Sequence, residues 1–588
     1  MKKILDLIAL QMRAAFSACG YDETYAKVVL SNRPDLCEYQ CNGAMAAAKT
    51  YRKKPIDIAN AVADCLQGNE MFEEIHAVMP GFINIRLSAG YLADYMNGMR
   101  EEKKLGLEES GNGRTIVVDY GGANVAKPLH VGHLRSAVIG ESIRRMGNFL
   151  GYRMIGDVHL GDWGLQMGLI IEELRDRRPE LVYFDENYSG EYPQEAPFTI
   201  GELEEIYPAA SEKSKKDEAF KERAQTATFL LQNGYAPFQA IWRHIMRVSL
   251  ADLRKNYDNL DVHFDLWKGE SDAQPYIPGL IQDLKDRGLA YESQGALVVD
   301  IAEPTDSKEL PPCIVRKSDG AALYATSDLG TILEREKDMK PTAYIYVADK
   351  RQELHFTQVF RVAKKAGYVA CDTPMKHVGF GTMNGRDGKP FRTRDGGVMR
   401  LERLIADINE AVYERIMENR TVSEEEAKET AKIVGLAALK YGDLSNQAAK
   451  DYIFDIDRFI SFEGNTGPYI LYTIVRIKSI LGKYASSKAD SVATAILPAT
   501  GAGEKELMLS LVKYNDAMET AFADLAPHKL CQYIYELSNA FNGFYHDNRI
   551  LAEEDSLRKA SWIQLITLVK DVLETCIDAL GFSAPDRM

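Results

Sequence analysis

Two histidines three residues apart, His130 and His133, flank Gly132 in the run Asn124-Val-Ala-Lys127-Pro-Leu-His130-Val-Gly132-His133-Leu-Arg-Ser. An imidazole can donate a hydrogen bond to a phosphate oxygen, and a residue without a side chain lets a ligand come close to the backbone. Lys127 adds a movable cation. These residue types at this spacing make a phosphate-handling turn.

The flanking segments must hold that turn. Thr115-Ile-Val-Val-Asp119 is β-branched and apolar and predicts a buried strand, and Leu134 to Tyr152 carries apolar positions at helical spacing. Strand, turn and helix in that order aim free backbone N–H groups and a partial positive charge at the space above the strand end. A two-histidine zinc site is the competing reading. No Cys, Asp or Glu stands at ligand-like spacing beside the pair, so no metal site is expected.

The wider chain reads as α/β, a doubly wound parallel sheet with a small α+β domain before it and an all-α region after it. Candidate strands are Ile116–Asp119, Met154–His159, Tyr344–Ala348 and His377–Thr382. Ligands in such sheets bind at the carboxyl ends of the strands, where the strand order reverses, which is where His130 and His133 would lie. A hairpin tipped by Asp319-Gly320 would put Tyr324 and Asp328 on its returning side. The charged stretch from Glu202 to Arg223 reads as an exposed helical insertion without catalytic content.

A polar, glycine-bearing stretch, Glu108 to Arg114, marks a boundary after a first domain of residues 1–112. Within it, Gly81-Phe82-Ile-Asn84-Ile-Arg86-Leu alternates like a half-buried strand. From about residue 400 the pattern is helical throughout, with long amphipathic stretches at Glu424–Tyr441 and Ser561–Leu580. The opening Met1 to Arg13 reads as an amphipathic first helix, because Asp6, Gln11 and Arg13 interrupt its apolar run.

Length and charge bound the function. A chain of 588 residues at 46% hydrophobic can bury several cores, and a net charge of −15 argues against a nonspecific nucleic-acid binder. Selective binding would need only a local basic face. No apolar run is long enough to span a bilayer. The eight cysteines are scattered, and the pair nearest in sequence, Cys37 and Cys41, has no second pair to complete a zinc site, so reduced thiols in a cytosol are expected.

The histidine turn resembles that of the class I aminoacyl-tRNA synthetases, and its full wording is similar to the arginyl-tRNA synthetase version. Gly161-Asp-Trp163-Gly, Leu323-Tyr324-Ala-Thr-Ser-Asp328, Glu353-Leu-His355, Gly379-Phe-Gly-Thr-Met383 and Phe462-Glu-Gly-Asn465-Thr-Gly-Pro-Tyr469 agree with it, so the resemblance covers nearly the whole chain. It implies a Rossmann-like catalytic domain over 113–400 with an insertion at about 176–265, a tRNA-contacting domain over 1–112, and a helical region over 401–588 whose anticodon-binding part begins near 456. In such a domain Phe82 and Asn84 become candidate tRNA contacts, although Phe82 also reads as a core aromatic.

The activity implied is ATP-dependent activation of L-arginine followed by transfer to the 2′-hydroxyl of the terminal adenosine of tRNA(Arg). No enzyme nucleophile is needed, so catalysis is positioning plus stabilisation of charge on phosphate oxygens. By the resemblance, His130, His133 and Lys127 are catalytic, and His130, Gly132, His133, His355, Lys389 and Arg392 bind ATP, with Mg²⁺ on the departing phosphates and no tightly bound metal. Asp119 and Asp328 match the family's acceptors for the guanidinium, which a carboxylate can grip through two parallel N–H groups. Asn124, Tyr324 and Gln352 match its neutral amino-acid contacts. Asp328 also stands in a helix-capping context.

The class's second signature loop, Lys-Met-Ser-Lys-Ser, corresponds here to Asp387-Gly-Lys389-Pro-Phe-Arg392-Thr-Arg394-Asp-Gly-Gly397, a degenerate form. Arginyl enzymes of this kind carry a lysine just before the first histidine, the place Lys127 occupies, and the family is known for needing tRNA before it activates arginine. A monomer in the cytoplasm, with no DNA or membrane partner, is expected. Three alternatives stand beside this reading. Another class I synthetase would need a different pocket, a small-molecule nucleotidylyltransferase would not need the terminal domains, and an inactive tRNA-binding paralogue would show a broken turn or pocket.

Overall fold

Ile4, Ile8, Met12, Ala15 and Phe16 recur at helical spacing and are buried along one stripe of the first helix, α1 (Ile4–Ala18). The computed structural model describes all residues except 319–322, 390, 392–398, 419–422 and 487–494. Its backbone gathers into two units, one made of Met1–Ser110, Ser461–Asp578 and Ser583–Met588, the other of Gly111–Ile460 and Ala579–Phe582.

In the first unit α1 is followed by an antiparallel sheet in the order β1-β2-β4-β3, built from β1 (Val28–Leu30), β2 (Tyr39–Cys41), β3 (Phe72–Val78) and β4 (Phe82–Leu87). Its helices are α2 (Gly43–Tyr51), α3 (Pro55–Asp64) and α4 (Ala89–Glu101). The alternation expected for β4 is only partly realised. This strand pairs on both edges, so Ile83, Asn84, Ile85 and Leu87 are all buried. The fold also joins two cysteines 46 positions apart: Cys19 and Cys65 bring their sulfurs to 2.9 Å. Long helices close the unit, among them Pro527–Asp547, whose Leu530, Ile534, Leu537, Phe541 and Phe544 form a buried stripe.

The second unit opens with β5 (Thr115–Asp119), α5 (Val131–Phe149), β6 (Arg153–Asp157) and α6 (Leu165–Arg177). Three helices of the insertion follow, α7 (Ile200–Lys216), α8 (Glu218–Gln232) and α9 (Ala236–Asn259). After them come α10 (Glu270–Ala273), α11 (Ile277–Asp286) and a small antiparallel sheet of β7 (Ala290–Ser293), β8 (Ala296–Val299) and β9 (Cys313–Arg316). The alternation resumes with α12 (Tyr324–Asp338), β10 (Ala343–Asp349), α13 (Glu353–Lys365) and β11 (Met375–Phe380).

All four strands of the main sheet are parallel, in the order β11-β10-β5-β6. The order reverses between β5 and β10, so the turn after β5 lies at the switch point. Val117, Tyr344 and Tyr346 of the sheet pack with Leu329 and Ile332 of α12, Phe356 and Val359 of α13 and Leu284 of α11 in one apolar core.

Three expectations are corrected. Tyr324 and Asp328 are helical; Ala325, Leu329 and Ile332 form the buried stripe that makes this stretch a helix, and the Asp319-Gly320 tip lies outside the described residues. Asp328 does not cap α12, since Leu323 holds that position and Asp328 sits a turn further in. The region after 400 is interrupted: α14 (Leu401–Glu418) and α15 (Glu424–Leu444) precede a short strand, Tyr452–Ile453, which pairs with Met383–Asn384 through Tyr452 N–H to Thr382 O at 3.1 Å and Phe454 N–H to Asn384 O at 2.8 Å.

Candidate active site

Helix α5 starts at Val131, three residues before the expected start, because the histidines cap it. The Nδ1 of His130 accepts the Gly132 N–H at 3.0 Å, and the Nδ1 of His133 accepts the His130 N–H at 3.2 Å. With both Nδ1 atoms accepting, the ring proton of each neutral imidazole belongs on Nε2. The rings lie 4.0 Å apart. A Cβ on Gly132 would come within 2.7 Å of His130 Cε1. Gly132 therefore makes room first for its neighbour's ring, a closer reason than the ligand approach read from the sequence.

Burial, then the neighbouring Lys127 charge, lowers the His130 pKa. Burial, then His130, takes His133 down to about 3. Both rings are neutral Nε2–H donors at the amino end of α5, an arrangement that accepts an anion. Lys127 places its ammonium 4.6 Å from the centre of the Tyr207 ring, on α7. One turn earlier on the same face, Glu204 pairs with Arg400 at 2.6 Å. Backbone bonds from Val131 N–H to Met399 O and from Leu401 N–H to Leu129 O fasten the chain after the second loop to the turn. The insertion is thus not a detached exposed element: α7 covers the turn, and Tyr207 packs on a small core of Leu169, Ala210, Phe220 and Ala224.

Arg135, in the next turn of α5, is buried and ties three segments together. Its Nε donates to Asp443 of α15 at 2.8 Å, and its Nη1 donates to the carbonyls of Gly381 and Lys450. Asn124 seats against Gly161, where a Cβ would come within 2.1 Å of Asn124 Oδ1.

Acidic groups collect at the carboxyl ends of the strands. Asp119 and Asp157 are paired residues of β5 and β6, and Arg335 of α12 bridges them, with Nη2 at 2.6 Å from Asp119 and 2.7 Å from Asp157. The free two-oxygen grip expected of Asp119 toward a substrate is therefore not available, since one of its oxygens already holds a guanidinium. Asp328 bonds His355 Nε2 at 2.5 Å and faces His159 Nε2 at 3.9 Å. His355, expected on the nucleotide, thus sits against the acceptor expected for arginine, because α13 runs beside α12.

His159, Glu270 and Arg335 escaped the sequence reading. Neither ring nitrogen of His159 has a hydrogen-bond partner among the described residues. Burial opposes a charge on this ring, but Asp119 and Asp328 outweigh it and raise the pKa. Burial brings Glu270 up to about 7, helped by Asp162 and Asp328 and opposed by His159. Tyr324 opens α12 as an exposed ring whose hydroxyl is pushed up by partial desolvation, then by Glu270 and Tyr207. Gln352 is exposed in the turn after β10.

Lys389 is exposed, its backbone N–H on Asp387 at 3.1 Å, and Arg392 lies outside the described residues. In the first unit, Phe82 is half-buried at the start of β4, whereas Asn84 is only 5% exposed and accepts the Gln40 amide at 2.9 Å. Little of Asn84 is left to meet RNA. Among the described residues no group of three or more His, Cys, Asp or Glu could hold a metal ion, and no helix is long and apolar enough to cross a membrane.

A two-histidine helix cap beside carboxylates at the switch point of a parallel sheet is the geometry of a phosphate site next to a cation site. The family description "tRNA synthetases class I (R), catalytic domain" matches residues 96–456. The chain belongs to the arginyl-tRNA synthetase family. The family's N-terminal domain matches residues 3–87, and the DALR anticodon binding domain matches 470–588.

Relatives and solved structures of this family agree along its whole length. The chain is 62% identical to the arginine–tRNA ligase of Agathobacter rectalis and 55% identical to that of Alkaliphilus oremlandii, covering 100% of both chains in each case. It superposes on the arginyl-tRNA synthetase of Plasmodium falciparum with a TM-score of 0.81 at 25% identity, covering 100% of both chains. The Thermus thermophilus arginyl-tRNA synthetase shares the fold, with a TM-score of 0.79 at 22% identity.

Proposed function

We propose that this arginyl-tRNA synthetase family member is an arginine–tRNA ligase that works through the paired-histidine cap. The arginine carboxylate attacks the α-phosphate of ATP, a P–O bond forms as the bond to pyrophosphate breaks, and arginyl-adenylate results. The 2′-hydroxyl of the terminal adenosine of tRNA(Arg) then takes the arginyl group and AMP leaves.

The observation that carries this reading is the tautomer set by the cap. Two neutral Nε2–H groups and the amino end of α5 are fixed in place before substrate arrives, so stabilising charge on the phosphate oxygens needs little rearrangement. Lys127 stands in for the first lysine of the class signature, which the degenerate second loop does not match, with Lys389 and Arg392 of that loop as its partners from the other side. Mg²⁺ accompanies ATP on the phosphates. Asp328, with His159 and Glu270 near it, takes the guanidinium, and Asp119 contributes through Arg335 and the oxygen that Arg335 leaves free. Asn124, Tyr324 and Gln352 meet the rest of arginine.

Residues 1–112 contact tRNA through surface that includes Phe82, and the helical region after 401 reads the anticodon, chiefly beyond about 456. The protein acts in the cytoplasm as a monomer, and arginine activation waits for tRNA. Charging of total tRNA with labelled arginine, against lysine and methionine controls, tests the reading. Arginine alone should be attached; attachment of another amino acid, or of none, overturns it.

A further inference from the structure

The insertion helix α7 meets the histidine turn at two points on one face, Tyr207 under Lys127 and Glu204 on Arg400. Glu204 is a carboxylate one helical turn from Tyr207. It is engaged by Arg400, and the cation rests on a ring. That difference matters electrostatically. A carboxylate would cancel most of the ammonium's field, whereas a ring face holds the ammonium in place and leaves its formal charge intact.

We propose that Tyr207 is a positioning residue for arginine activation, holding the Lys127 ammonium beside His130 and His133 as a cation that no carboxylate pairs among the described residues, for the phosphates of ATP. This rests on the reading of Lys127 given above. Tyr207 suits the task because it is itself fixed. It packs on Leu169, Ala210, Phe220 and Ala224, and α7 begins in a reciprocal cap in which Thr199 accepts the Glu202 N–H and Glu202 accepts the Thr199 N–H. The charge of Lys127 reaches both histidines, where it opposes their protonation. The lysine therefore stands at the site while in contact with the ring.

The test is ATP–pyrophosphate exchange with arginine and tRNA, on the full-length protein, for Lys127→Ala, Tyr207→Leu, Tyr207→Phe and the Lys127→Ala/Tyr207→Leu double variant. Tyr207→Leu should raise KM for ATP by about threefold to tenfold and leave KM for arginine unchanged. Tyr207→Phe, which keeps the ring, should restore the KM for ATP. In the Lys127→Ala background, Tyr207→Leu should add nothing, because the ring acts through the lysine. Tyr207→Met, which fills the gap without a ring, repeats the test if the leucine variant unfolds. An additive loss in the double variant would show a merely structural role and overturn the proposal. So would an unchanged KM in Tyr207→Leu when Lys127→Ala is impaired. Normal exchange by Lys127→Ala would instead remove the underlying reading of the lysine.

Discussion

His133 accepts the backbone N–H of His130 on its Nδ1 at 3.2 Å, and that bond decides what the second histidine can offer a substrate. With Nδ1 occupied, the ring presents Nε2–H, and with burial taking its pKa down to about 3 the ring stays neutral. The sign follows from the depressed value. The stability that comes with a neutral His133 is complete above the ordinary 6.5 and is lost as pH falls toward 3, where the folded protein must take up a proton in a buried place. ¹⁵N-histidine NMR should show an Nε2–H tautomer with no titration between about pH 5 and 8. Titration near 6.5 would contradict it.

Gly132→Ala places a methyl against His130 Cε1 at a distance that no packed carbon tolerates. The His130 ring must leave the cap, and one donor to the phosphate goes with it. Exchange should fall by about a hundredfold with the helix intact by circular dichroism. Activity within twofold of wild type would show that the ring can cap from another rotamer.

Asp328→Ala removes the carboxylate that holds His355 and faces His159. If Asp328 takes the guanidinium, arginine binding should weaken by about 2 kcal/mol or more, read as a rise in KM for arginine with KM for ATP little changed. Equal rises in both would point to a general collapse of the pocket.

His159 faces Asp119 and Asp328, with Arg335 and Asp157 behind them, and its pKa is raised above 6.5. A raised value means that stabilisation is complete below the ordinary pKa and is lost as pH climbs through the folded one. A protonated His159 competes with the substrate's guanidinium for the same carboxylates. KM for arginine should therefore fall as pH climbs above 6.5 through the raised value, and the slope should vanish in His159→Asn. A flat profile in the wild type would contradict this.

Arg335 is 1% exposed and neutralises Asp119 and Asp157 together. Arg335→Met leaves the buried carboxylate of Asp157 beside the half-buried one of Asp119 and should cost about 3–5 kcal/mol in urea unfolding. Arg335→Lys should recover only part of this, because a lone ammonium can stand in for Nη2 between the two carboxylates but loses the Nη1 donation to the Tyr346 hydroxyl at 3.1 Å.

The turn was legible because its parts are consecutive. A β-branched strand, two histidines around a glycine and a helical run declare themselves within forty residues, and the family wording followed from them. The rest of the pocket is assembled from single residues on separate elements. His159, Glu270 and Arg335 carry no local signature, and Arg335 reads as one more charge on an amphipathic helix until the fold sets it between Asp119 and Asp157. Tyr324 and Asp328 were misplaced because the Asp-Gly pair suggested a hairpin, while the stronger signal was the stripe of Ala325, Leu329 and Ile332. Tyr207 was hidden by composition, since a charged stretch also contains the face that packs inward. Cys19 and Cys65 meet only because α1 and α3 end beside each other.

ATP–pyrophosphate exchange with each of the twenty amino acids, with and without total tRNA, decides whether arginine is activated at the paired-histidine turn. Exchange should occur with arginine alone, and only when tRNA is present. Exchange with a different amino acid, or none under any condition, would contradict it.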